Sequence, residues 1–93
     1  MDLPYSKKCE INVRSFFRGR VPWIFGRCTI GEHAMELKYF FIKKNITYDK
    51  IKRAREVDNF IEIISGKETF QIGMPRRDEI IDFIKSKQFK NDN

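Results

Sequence analysis

Apolar and polar residues alternate along much of this chain, which predicts β-strands in preference to helices. The stretch INVRSFF at 11–17 alternates at a period of two, and so does FGRCTIGEHAMELKYFFI at 25–42, apart from a Gly-Glu-His corner at 31–33. A period of two is typical of half-buried strands, and glycine beside polar residues is typical of a tight turn. We therefore predict strands at 11–17, 23–30 and 34–42, the last two paired as an antiparallel hairpin.

Three short apolar runs in the second half of the chain predict a further meander of antiparallel strands. They lie at 51–57, 60–64 and 68–72 and are rich in isoleucine and phenylalanine. An Asp-Asn pair at 58–59 and a Ser-Gly-Lys corner at 65–67 separate them, as expected for tight turns. Earlier in the chain, Gly19 and Pro22 are predicted to break the strand that ends near residue 17.

The period of the pattern changes near residue 75, where apolar residues begin to recur at helical spacing. In PRRDEIIDFIKSKQF they form one stripe, so we predict an amphipathic helix at about 75–88 and a frayed tail at 89–93. This order of elements predicts a mainly β (α+β) fold, in which one C-terminal helix caps a partly closed antiparallel barrel of six to seven strands. Because no repeat or linker interrupts the sequence, residues 1–93 are expected to form a single domain.

Composition adds a small core and a basic surface to this picture. Hydrophobic residues make up 41% of the 93 residues, which suffices for one small domain and leaves room for further burial against a second copy or a host protein. The net charge is +6, and the first 58 residues carry all of it, since residues 59–93 hold six basic and six acidic side chains. This asymmetry predicts one basic face or edge and favours an acidic partner.

The residues that catalysis would require are not spaced for it. The one histidine, His33, stands at a predicted turn, with no serine, cysteine or paired carboxylate placed to act with it. Cys9 and Cys28 have no second metal ligand nearby, so we predict buried thiols in preference to a metal site or a disulfide. No phosphate-binding loop is present. We therefore expect no enzymatic activity, no metal and no cofactor.

The sequence also lacks the features of a secreted or membrane-spanning protein. The N-terminus MDLPYSKKCE has no apolar segment of the kind that a signal peptide contains. The most apolar early stretch, SFFRGRVPWIFGRC, is interrupted by three arginines and is too short to cross a bilayer. We expect a cytoplasmic protein.

Two basic clusters supply the candidate binding residues. The first interleaves arginines with aromatic residues at 16–25, a combination that can hold phosphates and stack on bases. Those aromatics are also what a small barrel uses as its core, and we favour this interpretation, with the arginines as a solvated rim. The second cluster alternates between two faces of a loop and strand, which favours a solvated surface over nucleic-acid contact. The candidates are Arg14, Arg18, Arg20, Arg27, Lys43, Lys44, Arg53 and Arg55.

The strand-turn-strand segment FGRCTIGEHAMEL at 25–37 resembles G-[KR]-x-x-I-G-[DE]-x-A-[FM]-E-[FL], a pattern of small GRAM-like proteins encoded beside mannose-type phosphotransferase genes in Gram-positive bacteria. ITYDKI at 46–51 resembles that family's I-x-[WY]-[DE]-x-[VI], and RRDEIIDFIK at 76–85 is similar to its terminal helix. The resemblance covers roughly residues 11–88. The matching residues of the first segment are Gly26, Arg27, Ile30, Gly31, Glu32, Ala34, Met35, Glu36 and Leu37.

This resemblance implies the pleckstrin-homology (PH) and GRAM-like superfold and a regulatory role connected with a sugar-transport operon. The family has no established chemistry. Its later hairpin is longer and carries extra aromatic and basic residues, whereas REVDNFIEI at 55–63 turns quickly. A partner contact made by that hairpin would therefore be missing from this chain.

The function predicted from these observations is a non-catalytic regulatory or adaptor domain that binds a protein partner. It would do so through its basic face or an exposed sheet edge, to which a partner's strand or a second copy of the chain can add. The alternative is a small nucleic-acid-binding regulator that uses the arginine–aromatic cluster. Anionic lipid surfaces are a further electrostatic option.

Overall fold

The computed structural model describes residues 2–15, 19–20 and 23–89. They form eight strands and one helix, in agreement with the predicted fold class. The strands are β1 (Tyr5–Ser15), β2 (Gly19–Arg20), β3 (Ile24–Ile30), β4 (Ala34–Tyr39), β5 (Ile42–Thr47), β6 (Ile51–Val57), β7 (Phe60–Ser65) and β8 (Glu68–Gly73), and the helix is α1 (Arg77–Phe89). A single 3₁₀ turn, Tyr48–Lys50, joins β5 to β6.

The strands form one antiparallel half-barrel. Seven of them follow the order β5-β4-β3-β1-β8-β7-β6, and the two-residue β2 pairs with β1 alone. The long strand β1 belongs to both halves, because it pairs with β3 from Tyr5 to Ile11 and with β8 from Glu10 to Ser15. Helix α1 packs against β6, β7 and the 3₁₀ turn. This confirms the prediction of a partly closed barrel capped by one C-terminal helix.

The core lies between the concave side of the sheet and the helix. Alternate residues of each strand face it, as the period-two pattern predicts, and they are large and aliphatic. The meander predicted at 51–57, 60–64 and 68–72 is confirmed, with one irregularity in the pairing between Ile51 and Arg53. The largest fully buried apolar side chains are Phe70, Ile11, Ile30, Met35, Leu37, Ile61, Ile63, Ile72, Ile80 and Ile84.

The prediction of a single strand at 34–42 is wrong, because a second hairpin divides it. β4 ends at Tyr39 and β5 begins at Ile42, so Phe40 and Phe41 form a two-residue turn. The predicted strand is apolar on both faces toward its end, but Phe40 and Phe41 there are exposed. Gly19, predicted as a breaker, instead begins β2, and β1 begins at Tyr5, well before residue 11.

The helix begins two residues later than predicted. Arg76 has a positive φ of 61°, which a right-handed helix does not allow, so Pro75 precedes the helix and Arg77 opens it. The predicted apolar stripe is confirmed, since Ile80 and Ile84 are fully buried. Of the tail predicted at 89–93, Phe89 ends the helix, and 90–93 lie outside the described residues.

Side chains at both ends of α1 bind it to the barrel. The guanidinium Nε of Arg77 donates to Glu56 Oε2 of β6 at 2.7 Å. The Gln88 amide donates to the carbonyl oxygens of Tyr48 and Ile51 at 3.1 Å and 2.7 Å. The first turn of the helix is thus bound near the C-terminal end of β6, and its last turn is bound at the N-terminal end of β6. The helix therefore lies along β6, the edge strand of the second half of the barrel.

Cys9 and Cys28 are confirmed as buried free thiols, and burial predicts a loss of stability at high pH. Burial raises the pKa of Cys9 from its ordinary 9.0 to about 11 and that of Cys28 further still. The folded state then holds its protons more tightly than the unfolded state, so this contribution to stability is complete below pH 9 and is lost as the pH rises toward 11. We expect the thermal midpoint to fall over that interval, and less steeply in Cys9→Ala. An identical fall in both proteins would contradict the assignment.

Candidate functional site

The structure positions three of the four arginines in the first predicted cluster. Arg14 of β1 and Arg20 of β2 are backbone partners in the short pairing of those strands. Arg27 lies on β3, where its backbone partner on β1 is Lys8. Arg18 lies outside the described residues. Nucleic-acid binding by this cluster as a unit therefore stays a prediction.

The two lysines of β5 are brought to different surfaces. Lys43 Nζ is 3.4 Å from Glu36 Oε2 on β4, on the outer side of the sheet. Lys44 Nζ is 3.3 Å from Glu68 Oε1 on β8, a strand of the opposite half of the barrel. The alternation of side chains along β5 accounts for this division. They do not form one basic patch.

The two arginines of β6, Arg53 and Arg55, lie on a different strand from Lys43 and Lys44, at the other end of the strand order. Arg53 and Arg55 are both exposed, and Arg55 Nε donates to Glu62 Oε1 of β7 at 2.8 Å. This ion pair is a cross-strand contact between direct backbone partners. Such pairs are common on solvated sheet surfaces, so the structure agrees with the interpretation of this part of the cluster as a solvated face.

Four exposed cations lie in a row across the outer face of the first half of the sheet. Lys8 on β1 is the backbone partner of Arg27 on β3. Arg27 is in turn the partner of Lys38 on β4, and Lys38 is the partner of Lys43 on β5. Direct partners project from the same face, and neighbouring strands are about 4.8 Å apart, so this cation row spans roughly 14 Å. Like charges placed opposite each other destabilise a sheet, and a bound anion would relieve that repulsion.

Carboxylates lie beside the cation row, but neither of its two central members, Arg27 and Lys38, forms an ion pair among the described residues. Glu36 pairs with Lys43 and is two residues from Lys38 on the same face of β4, and Glu10 is two residues from Lys8 on the same face of β1. The Arg27 Nη1 atom donates to the hydroxyl of Ser6 at 3.1 Å. The two central cations are thus available to pair with a bound anion.

Exposed aromatic side chains border the cation row. Phe25 is 83% exposed and shares a face of β3 with Arg27, two residues away. Phe40 and Phe41, in the turn that follows Lys38, are 75% and 105% exposed. We call Phe25, Phe40 and Phe41 the aromatic rim. Large apolar groups exposed together typically mark a binding surface. A shallow depression of about 440 Å³ lies where row and rim meet, lined by Lys8, Phe25, Gly26 and Arg27.

The backbone of Phe40 departs from what local structure favours. Its φ is 53°, at the first position of a two-residue hairpin turn, where glycine is the preferred residue. A bulky side chain in this conformation costs on the order of 1 kcal/mol or more. Phe40 gains no burial in return. Residues that destabilise their own turn and remain exposed to solvent are typical of functional sites.

A second candidate site is the gap where the barrel does not close. β5 and β6 are the two ends of the strand order, so within residues 2–15, 19–20 and 23–89 each has one edge that pairs with no strand. A cleft of about 700 Å³ lies between them, with the buried residues Ile46 and Phe70 among its lining. Polar side chains complete the lining, and they include Lys44, Lys50 and Lys52.

The buried hydroxyl of Tyr48 stabilises the fold through a hydrogen bond. The Tyr48 hydroxyl donates to the Gly31 carbonyl at 2.7 Å, which joins the 3₁₀ turn to the β3–β4 turn. Burial raises the pKa of Tyr48, so its phenol stays protonated. Within 2–15, 19–20 and 23–89, no three His, Cys, Asp or Glu side chains are grouped as metal ligands. No helix in that part of the chain is long and apolar enough to cross a membrane.

Solved structures share this arrangement of strands and helix. The N-terminal PH domain of human ARAP2 superimposes with a TM-score of 0.64 at 14% sequence identity, covering 99% of this chain and 86% of that one. The chain has a PH-like fold. The C-terminal domain of an unknown protein from Leishmania infantum gives a TM-score of 0.61 at 16% identity, covering 89% and 82% of the two chains. No protein-family model and no curated protein matches the sequence. At these identities the likeness concerns the fold, so the ligand of this PH-like domain must be inferred from its surface.

Sequence reasoning found two members of the cation row, Arg27 and Lys43, and missed Lys8 and Lys38. Lys38 was missed because the predicted corner at 31–33 would pair Ile30 with Ala34, whereas the observed register pairs Ile30 with Met35 and so places Lys38 opposite Arg27. The signal for Lys43 as its neighbour was hidden, because that pairing depends on the turn that the sequence reading missed. Phe25 was assigned to the core because a small barrel uses aromatic residues as its filling, and this assignment is wrong, since Phe25 is exposed. Phe40 and Phe41 were placed within a strand because of the missed turn.

Proposed function

We propose that this PH-like domain is a non-catalytic regulatory or adaptor module that binds an acidic protein segment as an added strand at the edge of β5. The observation that supports the proposal is the unclosed barrel, in which β5 pairs with β4 and with no other described strand. An exposed edge offers unpaired N–H and C=O groups to an incoming strand. The expected setting is the cytosol.

The backbone groups available on β5 follow from its hairpin with β4. In a two-residue turn, the closing residues Tyr39 and Ile42 form a hydrogen-bonded pair, and pair types then alternate along the strands. Lys43, Asn45 and Thr47 therefore direct their N–H and C=O groups away from β4. These three residues form the docking edge for a partner strand.

The cleft beside this edge favours an acidic segment with apolar residues at alternate positions. Ile46 and Phe70 are buried and form the apolar floor of the cleft, so side chains on one face of the added strand would contact them by entering it. Lys50 and Lys52 are exposed, and neither forms an ion pair among the described residues. Carboxylates of the partner would form ion pairs with these ammonium groups at the edge of the cleft. Charged contacts of this kind contribute to specificity and to the association rate.

A proline substitution tests the docking edge. Peptides selected from a phage-displayed random library on the immobilised protein should carry Asp or Glu between apolar residues. Asn45→Pro removes one outward N–H without touching the β4 ladder, and we expect affinity to fall about tenfold. Asn45→Ala keeps that N–H and should bind within about twofold of wild type. Calorimetry measures both, and equal binding by the two variants would reject the proposal.

The finer resemblance suggests a biological setting for this module. We propose, on the matches at 25–37, 46–51 and 76–85, a regulatory role beside a bacterial mannose-type phosphotransferase system. The genes that flank the coding sequence test this directly. A neighbourhood without sugar-transport genes would contradict it and would leave the strand-addition proposal standing.

A further inference from the structure

We propose that the outer face of the first half-barrel is a binding site for single-stranded nucleic acid, formed by the cation row and the aromatic rim. The row comprises Lys8, Arg27, Lys38 and Lys43, on four adjacent strands. The two sites share Lys43, whose side chain lies in the cation row and whose backbone groups lie on the docking edge, in the plane of the sheet. The other members of the cation row and the aromatic rim lie outside that edge, so the inference rests on observations other than those that support the proposed function.

The cation row matches a linear polyanion. Its members are spaced evenly across β1, β3, β4 and β5, and a phosphate backbone lying across these strands can contact them in succession. Arg27 and Lys38, at the centre, form no ion pair within the described part of the chain. A single small anion would neutralise only one or two of the four charges, whereas a strand of phosphates would neutralise the row.

The aromatic rim supplies rings on which bases can stack, the second feature of a nucleic-acid site that binds without sequence preference. Phe25 projects from the same face as Arg27, so a base attached to a phosphate on the row can stack on its ring. Phe40 and Phe41 extend this apolar surface beyond the end of β4. The unfavourable φ of Phe40 is an independent sign that its ring is kept for contact with a ligand.

The geometry favours a strand over a bilayer or an acidic peptide. A bilayer would accept the aromatic rim but presents no fixed row of phosphates to cations on four successive strands. An acidic peptide would satisfy the cations, and it offers a ring for stacking on Phe25 or Phe40 only where it carries an aromatic residue. A nucleic-acid strand offers both a phosphate and a stacking base at every nucleotide.

Fluorescence anisotropy with a labelled oligodeoxythymidine over a series of salt concentrations tests the site. With phosphate contacts at the two central cations alone or at all four members of the row, the slope of log K against log salt should lie between about −1.4 and −2.8, at about −0.7 for each contact. Lys38→Ala should reduce that slope by about 0.7. Phe25→Ala should weaken binding about tenfold and leave the slope unchanged. Both side chains are exposed, and circular dichroism verifies that the variants fold.

Matched variants and ligands decide between the outcomes. Lys85→Ala, an exposed lysine of α1, and Asn45→Pro on the docking edge should both bind the oligonucleotide like wild type. Phe40→Gly should bind more weakly while its thermal midpoint rises, because glycine suits the turn. Displacement of the oligonucleotide by poly-glutamate at equal charge, or indifference of binding to Phe25→Ala, would overturn the proposal. So would tighter binding to phosphatidylserine vesicles than to the oligonucleotide.

Discussion

Gly26→Ala is expected to destabilise the protein by about 3 kcal/mol, because β3 and β4 approach each other too closely there for a side chain. A Cβ atom at position 26 would clash with the carbonyl oxygen of Lys38 and would lie 2.8 Å from Ile11 Cδ1. The carbonyl is backbone and Ile11 is fully buried, so neither can give way cheaply. Urea denaturation of both proteins measures the difference.

A second glycine serves as the matched control. A Cβ at Gly73 of β8 would lie 3.8 Å from Glu10 Cβ, which is ordinary van der Waals contact. Gly73→Ala should therefore leave stability unchanged or raise it by roughly 0.5 kcal/mol, since alanine has fewer conformations to lose on folding. Equal losses in the two variants would show that the close approach at Gly26 is not the cause.

Ile84→Ala is expected to cost about 3 kcal/mol, because its side chain is fully buried between α1 and the barrel. The loss combines the transfer free energy of the deleted groups with the cavity that remains. Since α1 covers β6, β7 and the 3₁₀ turn, we expect amide exchange to rise first in those elements. Hydrogen exchange followed by NMR measures this for each residue.

The neighbouring residue gives the control for this substitution. Lys85 is exposed on the outer side of the same helical turn, and Lys85→Ala should change stability by no more than about 0.5 kcal/mol. If Ile84→Ala lowered stability without raising exchange in β6 and β7, the helix would not be the cap that the packing indicates.

Periodicity alone predicted the strand meander and the apolar stripe of the helix, because these patterns reflect burial on one face. It was wrong at Phe40 and Phe41, where apolar residues occupy a turn. Their chemistry resembles that of core residues, and no local rule separates an exposed phenylalanine from a buried one. The helix start was misplaced because Arg76 has a positive φ, a conformation that a hydrophobic pattern does not predict for a residue other than glycine.

The sequence by itself determined the strand meander between 51 and 72, which face of α1 is apolar, and that the positive charge lies in the first two-thirds of the chain. Only the tertiary structure decided how that charge is arranged. Lys8, Arg27, Lys38 and Lys43 become neighbours through the register of three strand pairings, and register depends on turn geometry as well as on hydrophobic pattern. The free edge of β5 depends likewise on where the barrel fails to close, which no local pattern encodes.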